Sequence, residues 1–193
     1  MALPSTSPAE YAVRECSQAE FLRRLDELLR VYVDAMRYPD LSLDYRRPIW
    51  ADHSRRPGFR ALVAQEVSGE VAGICYGYTG APQQWWYSEV RRGLTDAGAA
   101  HWMSSYRELT ELHVRPDRQG GGIGEALLRA FLAGAAESTV LLSTPEGENR
   151  AWRLYRRTGF VDVLRHYRFS GDPRPFAVLG RPLPFDEPGR SPR

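Results

Sequence analysis

The residues best placed to do chemistry are the glycines of one short stretch, RPDRQGGGIGEALL, at residues 115–128. Four glycines fall within five positions, at 120, 121, 122 and 124, and an amphipathic helical pattern follows directly. Glycine is entropically costly to order, so such a cluster indicates a backbone that something approaches closely. The N-terminus of a helix presents free N–H groups at the positive end of the helix dipole. The stretch therefore predicts a phosphate-binding turn.

Three phosphate-binding motifs compete for this stretch. A Walker A motif needs a lysine, and the chain contains none, so Walker-type nucleotidases and Schiff-base enzymes are excluded. The dinucleotide motif G-x-G-x-x-G also fails, because its last position would be Glu125 or Leu127. The pattern Q-x-x-G-x-G does fit, through Gln119, Gly122 and Gly124. On this motif alone, a flexible turn before a helix remains an alternative.

Other chemically active side chains are scattered. The histidines stand singly, with no metal-ligand spacing, so we predict no metal site and assign none of them a catalytic role; they are His53, His101, His113 and His166. No nucleophile–histidine–carboxylate triad is recognisable, which favours a reaction without a covalent enzyme intermediate.

Hydrophobic periodicity predicts the elements that position these residues. The first half is predicted to hold a strand (11–16), a helix begun by the capping box SQAE and stopped by Pro39, a short helix within 44–59, and a hairpin (59–66 and 71–78). The second half is predicted to begin with a strand (106–114), the glycine turn and a helix from 123. A buried strand (139–144), a helix closed by Gly159 and two late strands (161–169 and 176–180) follow.

Composition bounds the class of protein. Hydrophobic content of 42% and charged content of 26% are typical of a soluble globular protein, and we expect one mixed α/β domain over residues 1–183 with a disordered tail at 184–193. A net charge of +2 is too small to argue for nucleic acid. We find neither a signal peptide nor a membrane span, so we expect a cytoplasmic protein with two reduced cysteines, Cys16 and Cys75.

Two segments together resemble a known family. ELTELHVRPDRQGGGIGEALL resembles the coenzyme-binding segment of the GNAT superfamily of N-acetyltransferases, and NRAWRLYRRTGF resembles its second signature, through Asn149, Ala151, Tyr155 and the closing Gly159-Phe160. The two lie in the expected order, separated by one helix and one short strand, and the hairpin and late strands also follow the family's layout. The resemblance implies a mixed α/β fold with a central, mostly antiparallel sheet of six to seven strands flanked by helices.

The resemblance also implies acetyl-coenzyme A as the acetyl donor. The pantetheine arm would lie in a cleft where strand 112–114 diverges from strand 140–143, and the pyrophosphate would sit on the amides of the glycine turn. The implied coenzyme-binding residues are Leu112, His113, Val114, Gln119, Gly120, Gly121, Gly122, Ile123, Gly124, Glu125, Asn149, Ala151 and Tyr155. Asn149 is also a candidate N-cap of the helix that follows it, in place of the coenzyme contact or in addition to it.

The chain departs from the family pattern at two positions of the turn. Family members often carry a basic residue at the position of Gly121 and another just after the last glycine, where this chain has Glu125. Backbone amides and the helix dipole must therefore balance more of the phosphate charge. Arg118 is the nearest cation that could compensate.

Amine acetylation also needs proton transfers. The amine, with a pKa of about 10, must lose a proton, and the departing thiolate must gain one. Glu108 is our first candidate base, acting through water, because relatives often place a carboxylate or histidine at this position; Glu111 alternates to the other face and ranks second. Tyr155 matches the family's general acid, and the Val114 amide would serve the oxyanion. The alternatives are surface glutamates and a packing tyrosine.

The acceptor is expected to contact the segments that vary within the superfamily, residues 34–57 and 80–104. The second segment concentrates Trp85, Trp86, Tyr87 and Trp102, which could line a pocket or pack a short helix onto the sheet. We favour a small-molecule amine or an antibiotic-like amine as acceptor, with no nucleic acid or membrane partner, and a monomer or homodimer. The alternatives are a protein or peptide N-acetyltransferase and a non-catalytic acyl-coenzyme A-binding module.

Overall fold

A seven-stranded sheet forms the centre of the computed structural model, which describes residues 11–147 and 149–185. The strands are β1 (Tyr11–Cys16), β2 (Arg60–Glu66), β3 (Val71–Thr79), β4 (Tyr106–Val114), β5 (Thr139–Pro145), β6 (Val161–Tyr167) and β7 (Phe176–Pro182). Their spatial order is β1-β2-β3-β4-β5-β7-β6. The helices are α1 (Gln18–Arg23), α2 (Leu25–Met36), α3 (Leu41–His53), α4 (Trp85–Asp96), α5 (Ile123–Leu132) and α6 (Arg150–Arg157), with short 3-10 turns at Ala100–Met103 and Pro116–Arg118.

The sheet is mixed and mostly antiparallel, as the resemblance implied. Strand β1 pairs antiparallel with β2, and β7 pairs antiparallel with both β5 and β6. Strands β4 and β5 pair in parallel, with Tyr106 opposite Thr139 and Glu108 opposite Leu141. That register ends at Glu108, although β4 continues to Val114 and β5 to Pro145.

The described residues fall into two compact units. The first unit holds residues 11–76 and 111–131, and the second holds residues 77–110, 132–147 and 149–185. Strands β3 and β4 each contribute residues to both units. The single domain over 1–183 stays a prediction.

Each unit has its own aromatic core. In the first, Trp50 is fully buried and its ring packs against Tyr76, with centroids 4.9 Å apart, and against Tyr32 at 5.7 Å. In the second, Trp86 packs on Tyr106 at 5.9 Å, and its Nε1 donates a hydrogen bond to Ser143 Oγ at 3.0 Å. Such pairs contribute about 0.5–1.5 kcal/mol each beyond the apolar area they bury.

The predicted first helix is two helices in the structure. Ser17 Oγ accepts a hydrogen bond from the Glu20 amide, as the capping box predicts, but α1 ends at Arg23, and the backbone leaves helical geometry at Arg24, with φ −99° and ψ 13°. The next helix, α2, ends at Met36 before Pro39, with Arg37 left-handed at φ 55°. The short helix predicted within 44–59 is the longer α3, which contains Pro48.

The tryptophan-rich segment forms a packed helix. Along α4, the buried residues Trp86, Val90 and Leu94 recur at helical spacing and join the core of the second unit, whereas Trp85 is 57% exposed. This is the packing alternative of the sequence analysis.

Both cysteines are buried, and neither forms a disulfide bond. Within the described ranges, no helix is both long enough and apolar enough to cross a membrane. Of the tail predicted at 184–193, residues 186–193 lie outside the described residues.

Candidate active site

The glycine turn has the local geometry that the motif predicted. Gly120 and Gly122 have φ values of +91° and +82°, a left-handed conformation that side chains rarely adopt. A Cβ atom placed on either glycine would meet no protein atom within 4 Å. Gly120 and Gly122 therefore suit the turn because its backbone is left-handed at both positions, and the space beside them is open to a ligand.

The glycine turn leads into a helix. Helix α5 begins at Ile123, and its first turn is closed by a hydrogen bond of 3.0 Å from the Ala126 amide to the Gly122 carbonyl oxygen. The side chain of Gln119 donates to the carbonyl oxygen of Val114 at 3.0 Å and so ties the start of the turn to the end of β4. The first amides of a helix have no partner within it, so this end can bind an anion.

The charged side chains around the turn are already engaged. Arg118 donates to Glu66 Oε1 at 2.5 Å and also pairs with Asp117. Glu125, in the first turn of α5, is paired with Arg129 at 2.8 Å, which offsets its negative charge near the helix N-terminus. Arg118 is thus held by carboxylates, and the backbone remains the main source of positive potential at the turn.

Glu108, the first candidate base, is a buried residue of the second unit. Its side chain is on β4, with the residue 4% exposed, and its Oε1 accepts a hydrogen bond of 2.9 Å from the Tyr78 hydroxyl. Tyr78 is 1% exposed. The hydroxyl orients the carboxylate, and burial keeps the carboxylate out of contact with bulk water.

Glu111, the second candidate, forms a different arrangement in the first unit. Its Oε2 lies 2.6 Å from His113 Nε2, and the two side chains are 13% and 12% exposed. The His113 ring packs edge-on against Tyr32, with centroids 5.0 Å apart. This pair was not predicted from the sequence, although residues two apart on a strand share a face and the spacing of Glu111 and His113 could have indicated it.

Glu111 also acts electrostatically on groups from two helices. Burial and the charge of Glu111 raise the pKa of Tyr32 on α2. Burial alone would lower the pKa of Arg46 on α3, but Glu111 and the neighbouring tyrosines outweigh it and leave that pKa raised. Burial lowers the pKa of His53 to about 4, and Arg56 adds to this effect. Perturbed groups of this kind cluster at functional sites.

Helix α6 presents the second predicted signature. Asn149 caps it, accepting a hydrogen bond of 3.1 Å from the Trp152 amide, so the predicted capping role is confirmed. Tyr155 is 7% exposed and its ring lies 5.4 Å from that of Phe160. Gly159 ends the helix with φ +84°, as predicted.

No group of three or more histidine, cysteine, aspartate or glutamate side chains that could hold a metal ion occurs within residues 11–147 and 149–185. The fit to a coenzyme rests instead on the open glycine turn at the start of α5.

Comparisons with known proteins agree with this geometry. The family model described as "Acetyltransferase (GNAT) family" matches residues 25–160. A GCN5-like protein acetyltransferase of Mycobacterium tuberculosis, Rv2170, is 50% identical, over 84% of this chain and 93% of that protein.

Solved structures are similar in fold. A GNAT-family protein from Desulfovibrio desulfuricans superposes with a TM-score of 0.64 at 16% identity, over 90% of this chain and 99% of that chain. A phosphinothricin acetyltransferase from Sinorhizobium meliloti, in complex with acetyl-coenzyme A, gives a TM-score of 0.59 at 19% identity, over 90% and 88% of the two chains.

Proposed function

This chain belongs to the GNAT acetyltransferase family, and on that premise we propose that it moves the acetyl group of acetyl-coenzyme A to a primary amine by direct attack of the amine. The observation that carries the proposal is the glycine turn, where open space beside Gly120 and Gly122 adjoins the N-terminus of α5. Acetyl-coenzyme A supplies an activated thioester; the residues of the chain bind it and handle the protons.

We assign coenzyme binding to three segments. The amides from Gly120 to Glu125 would hold the pyrophosphate, which the left-handed glycines leave accessible. The backbone of residues 112–114 would hydrogen-bond the pantetheine arm, and the Val114 amide would donate to the thioester oxygen as charge develops there. Asn149 and Ala151 stay predicted coenzyme contacts on the family resemblance alone.

Glu108 is our proposed general base and Tyr155 our proposed general acid. Glu108 has a carboxylate oriented by Tyr78, and in this role it receives the amine proton through a water molecule. Tyr155 has a phenol that stays protonated near neutral pH and can give its proton to the departing thiolate. Glu111, paired with His113, is the alternative base.

Two acceptor classes are proposed. The residues of the chain favour a small-molecule or antibiotic-like amine, and the similarity to a protein acetyltransferase of M. tuberculosis favours a protein amine as the second candidate. Release of free thiol from acetyl-coenzyme A with a panel of small amines and lysine-containing peptides tests both. A wild-type protein that binds the coenzyme but acetylates no amine in either panel would instead indicate a binding module.

The coenzyme site is tested by Gly122→Val, with Gly134→Val as its matched control. Both glycines are left-handed, at φ +82° and +69°, and a Cβ on either meets no atom within 4 Å. The two replacements therefore carry similar backbone strain, but Gly122 precedes α5 and Gly134 follows it.

Calorimetry with coenzyme A should show a Kd raised at least tenfold, about 1.4 kcal/mol, by Gly122→Val only. Equal Kd values for both folded variants and the wild type would contradict phosphate binding at this turn.

A further inference from the structure

Arg46, on α3, is a half-buried arginine with no carboxylate within 4.0 Å among residues 11–147 and 149–185. Its guanidinium carbon lies over aromatic rings, 5.2 Å from the centroid of Tyr32 and 6.0 Å from that of Tyr45. Cation–π contact stabilises such a group by roughly 0.5–2 kcal/mol. Among the described residues, its positive charge is therefore held by the two rings and by a side-chain hydrogen bond to Tyr32, and not by an ion pair.

The neighbouring arginine shows the opposite arrangement. Arg47 has a side chain that is 42% exposed and is paired with both Asp26 and Asp44, each at 2.8 Å. Exposed charges need no partner, whereas burying a charge without one costs free energy. Of these two arginines, the more buried one is the one that has no carboxylate partner in the described part of the chain, which indicates that Arg46 is positioned for an anion other than the described carboxylates.

Glu111 supplies an opposite charge in the same unit. Glu111 is close enough to Arg46 to raise its pKa, yet the two do not form an ion pair within 4.0 Å. His53 adds no positive charge near neutral pH, because burial lowers its pKa to about 4. Arg46 lies over the ring of Tyr32, and His113, the partner of Glu111, packs against the same ring. One cation and one anion are thus held apart around Tyr32, an arrangement that complements a ligand carrying both charges.

Resting on the proposed function, we propose that the acceptor is an amine that also carries a carboxylate, with Arg46 binding the carboxylate and Glu111 holding the ammonium group before it loses its proton. Arginine suits this role because its planar guanidinium binds a carboxylate through two parallel hydrogen bonds. The carboxylate has two possible sources, a free amino acid or an acidic residue beside a lysine in a peptide.

Matched probes distinguish these sources. Lysine is compared with lysinamide, and a peptide with one lysine flanked by glutamates is compared with the same peptide carrying glutamines. The proteins are the wild type, Arg46→Met, which keeps an unbranched stem over Tyr32 but loses the charge, Arg46→Lys, and the control Arg47→Met. Thiol release gives kcat/KM, and calorimetry on the same probes gives binding without turnover.

The wild type should prefer the carboxylate member of at least one pair by tenfold or more, mainly through KM or Kd. Arg46→Met should abolish the preference, Arg46→Lys should keep part of it, and Arg47→Met should leave it intact. A wild type without any preference, or a preference that persists in folded Arg46→Met, would overturn the inference. Carboxylate-dependent binding without turnover would support the role of Arg46 and refute the proposed acetyl transfer. Turnover without a preference for the carboxylate would support acetyl transfer and refute the role of Arg46.

Discussion

Replacing Gly121 with arginine should strengthen coenzyme binding. Relatives often carry a basic residue at this position, and Arg118 is already held by Glu66 at 2.5 Å. A Cβ atom on Gly121 would have the Arg118 carbonyl oxygen, 3.9 Å away, as its nearest neighbour, and the backbone there is outside the left-handed region. The side chain can therefore be added without displacing protein atoms, and we expect the variant to fold as the wild type does.

The size of the effect follows from Coulomb's law and the exposure of the site. Gly121 is exposed, so the dielectric response is close to that of water, where two unit charges 4 Å apart interact by about 1 kcal/mol. A pyrophosphate carries two charges, so we expect about 1–2 kcal/mol. This range corresponds to a Kd about five- to thirtyfold lower than that of the wild type.

Isothermal titration calorimetry with coenzyme A at low ionic strength measures this change. Gly121→Gln is the control for side-chain bulk without charge and should bind as the wild type does, and Gly121→Glu should bind more weakly. The gain should shrink as salt is added, because the charges are exposed. Equal Kd values for folded Gly121→Arg and Gly121→Gln at low salt would mean that the phosphates do not bind at this turn.

Three further predictions concern proton handling. Glu108→Gln should lower kcat by about 10²-fold or more with coenzyme Kd unchanged in calorimetry; a larger loss in Glu111→Gln would reassign the base. Tyr155→Phe should lower kcat by roughly 10- to 100-fold with little change in Tm, and the loss should shrink toward high pH, where the thiolate leaves without help; a wild-type pH–rate profile would make the residue structural. Burial holds the pKa of His53 at about 4 in the folded protein, below its ordinary value of 6.5. Between pH 6.5 and pH 4, His53 is therefore protonated in the unfolded chain but not in the folded protein, and lowering the pH destabilises the fold. Between pH 7 and pH 5 the wild type should lose about 2 kcal/mol more unfolding free energy than His53→Gln in urea titrations; parallel losses would show that His53 is not buried as a neutral group.

Local signals in the sequence predicted the elements around the glycine turn. Strand β4 has the bounds 106–114 that its alternation predicted, α5 begins at the predicted Ile123, and Asn149 caps α6. Each of these features depends on residues within a few positions of one another, through strand periodicity, helix capping and the left-handed freedom of glycine. Such features can be read from a single chain.

Other features depended on neighbours far along the chain. The capping box marked the start of α1 correctly, but the break at Arg24 carries no proline or glycine signal. The segment 80–104 could line a pocket or pack as a helix by its composition, and the contact of Trp86 with Tyr106 and Ser143 decided for packing. Aromatic residues suit either role, so composition alone left both open.

The features of the candidate site also fall into those that a local sequence pattern predicts and those that depend on folding. The family resemblance, the glycine turn at 120–124 and the two carboxylates of β4 follow from the sequence, because these are patterns of adjacent residues. Folding alone explains that Glu108 is held by Tyr78, that Glu111 pairs with His113 beside Tyr32, and that Arg46 lies over Tyr32 with no carboxylate of the described residues within 4.0 Å. Burial and electrostatic environment come from residues that meet through folding, and the charge of a side chain in the sequence does not reveal which neighbours will balance it.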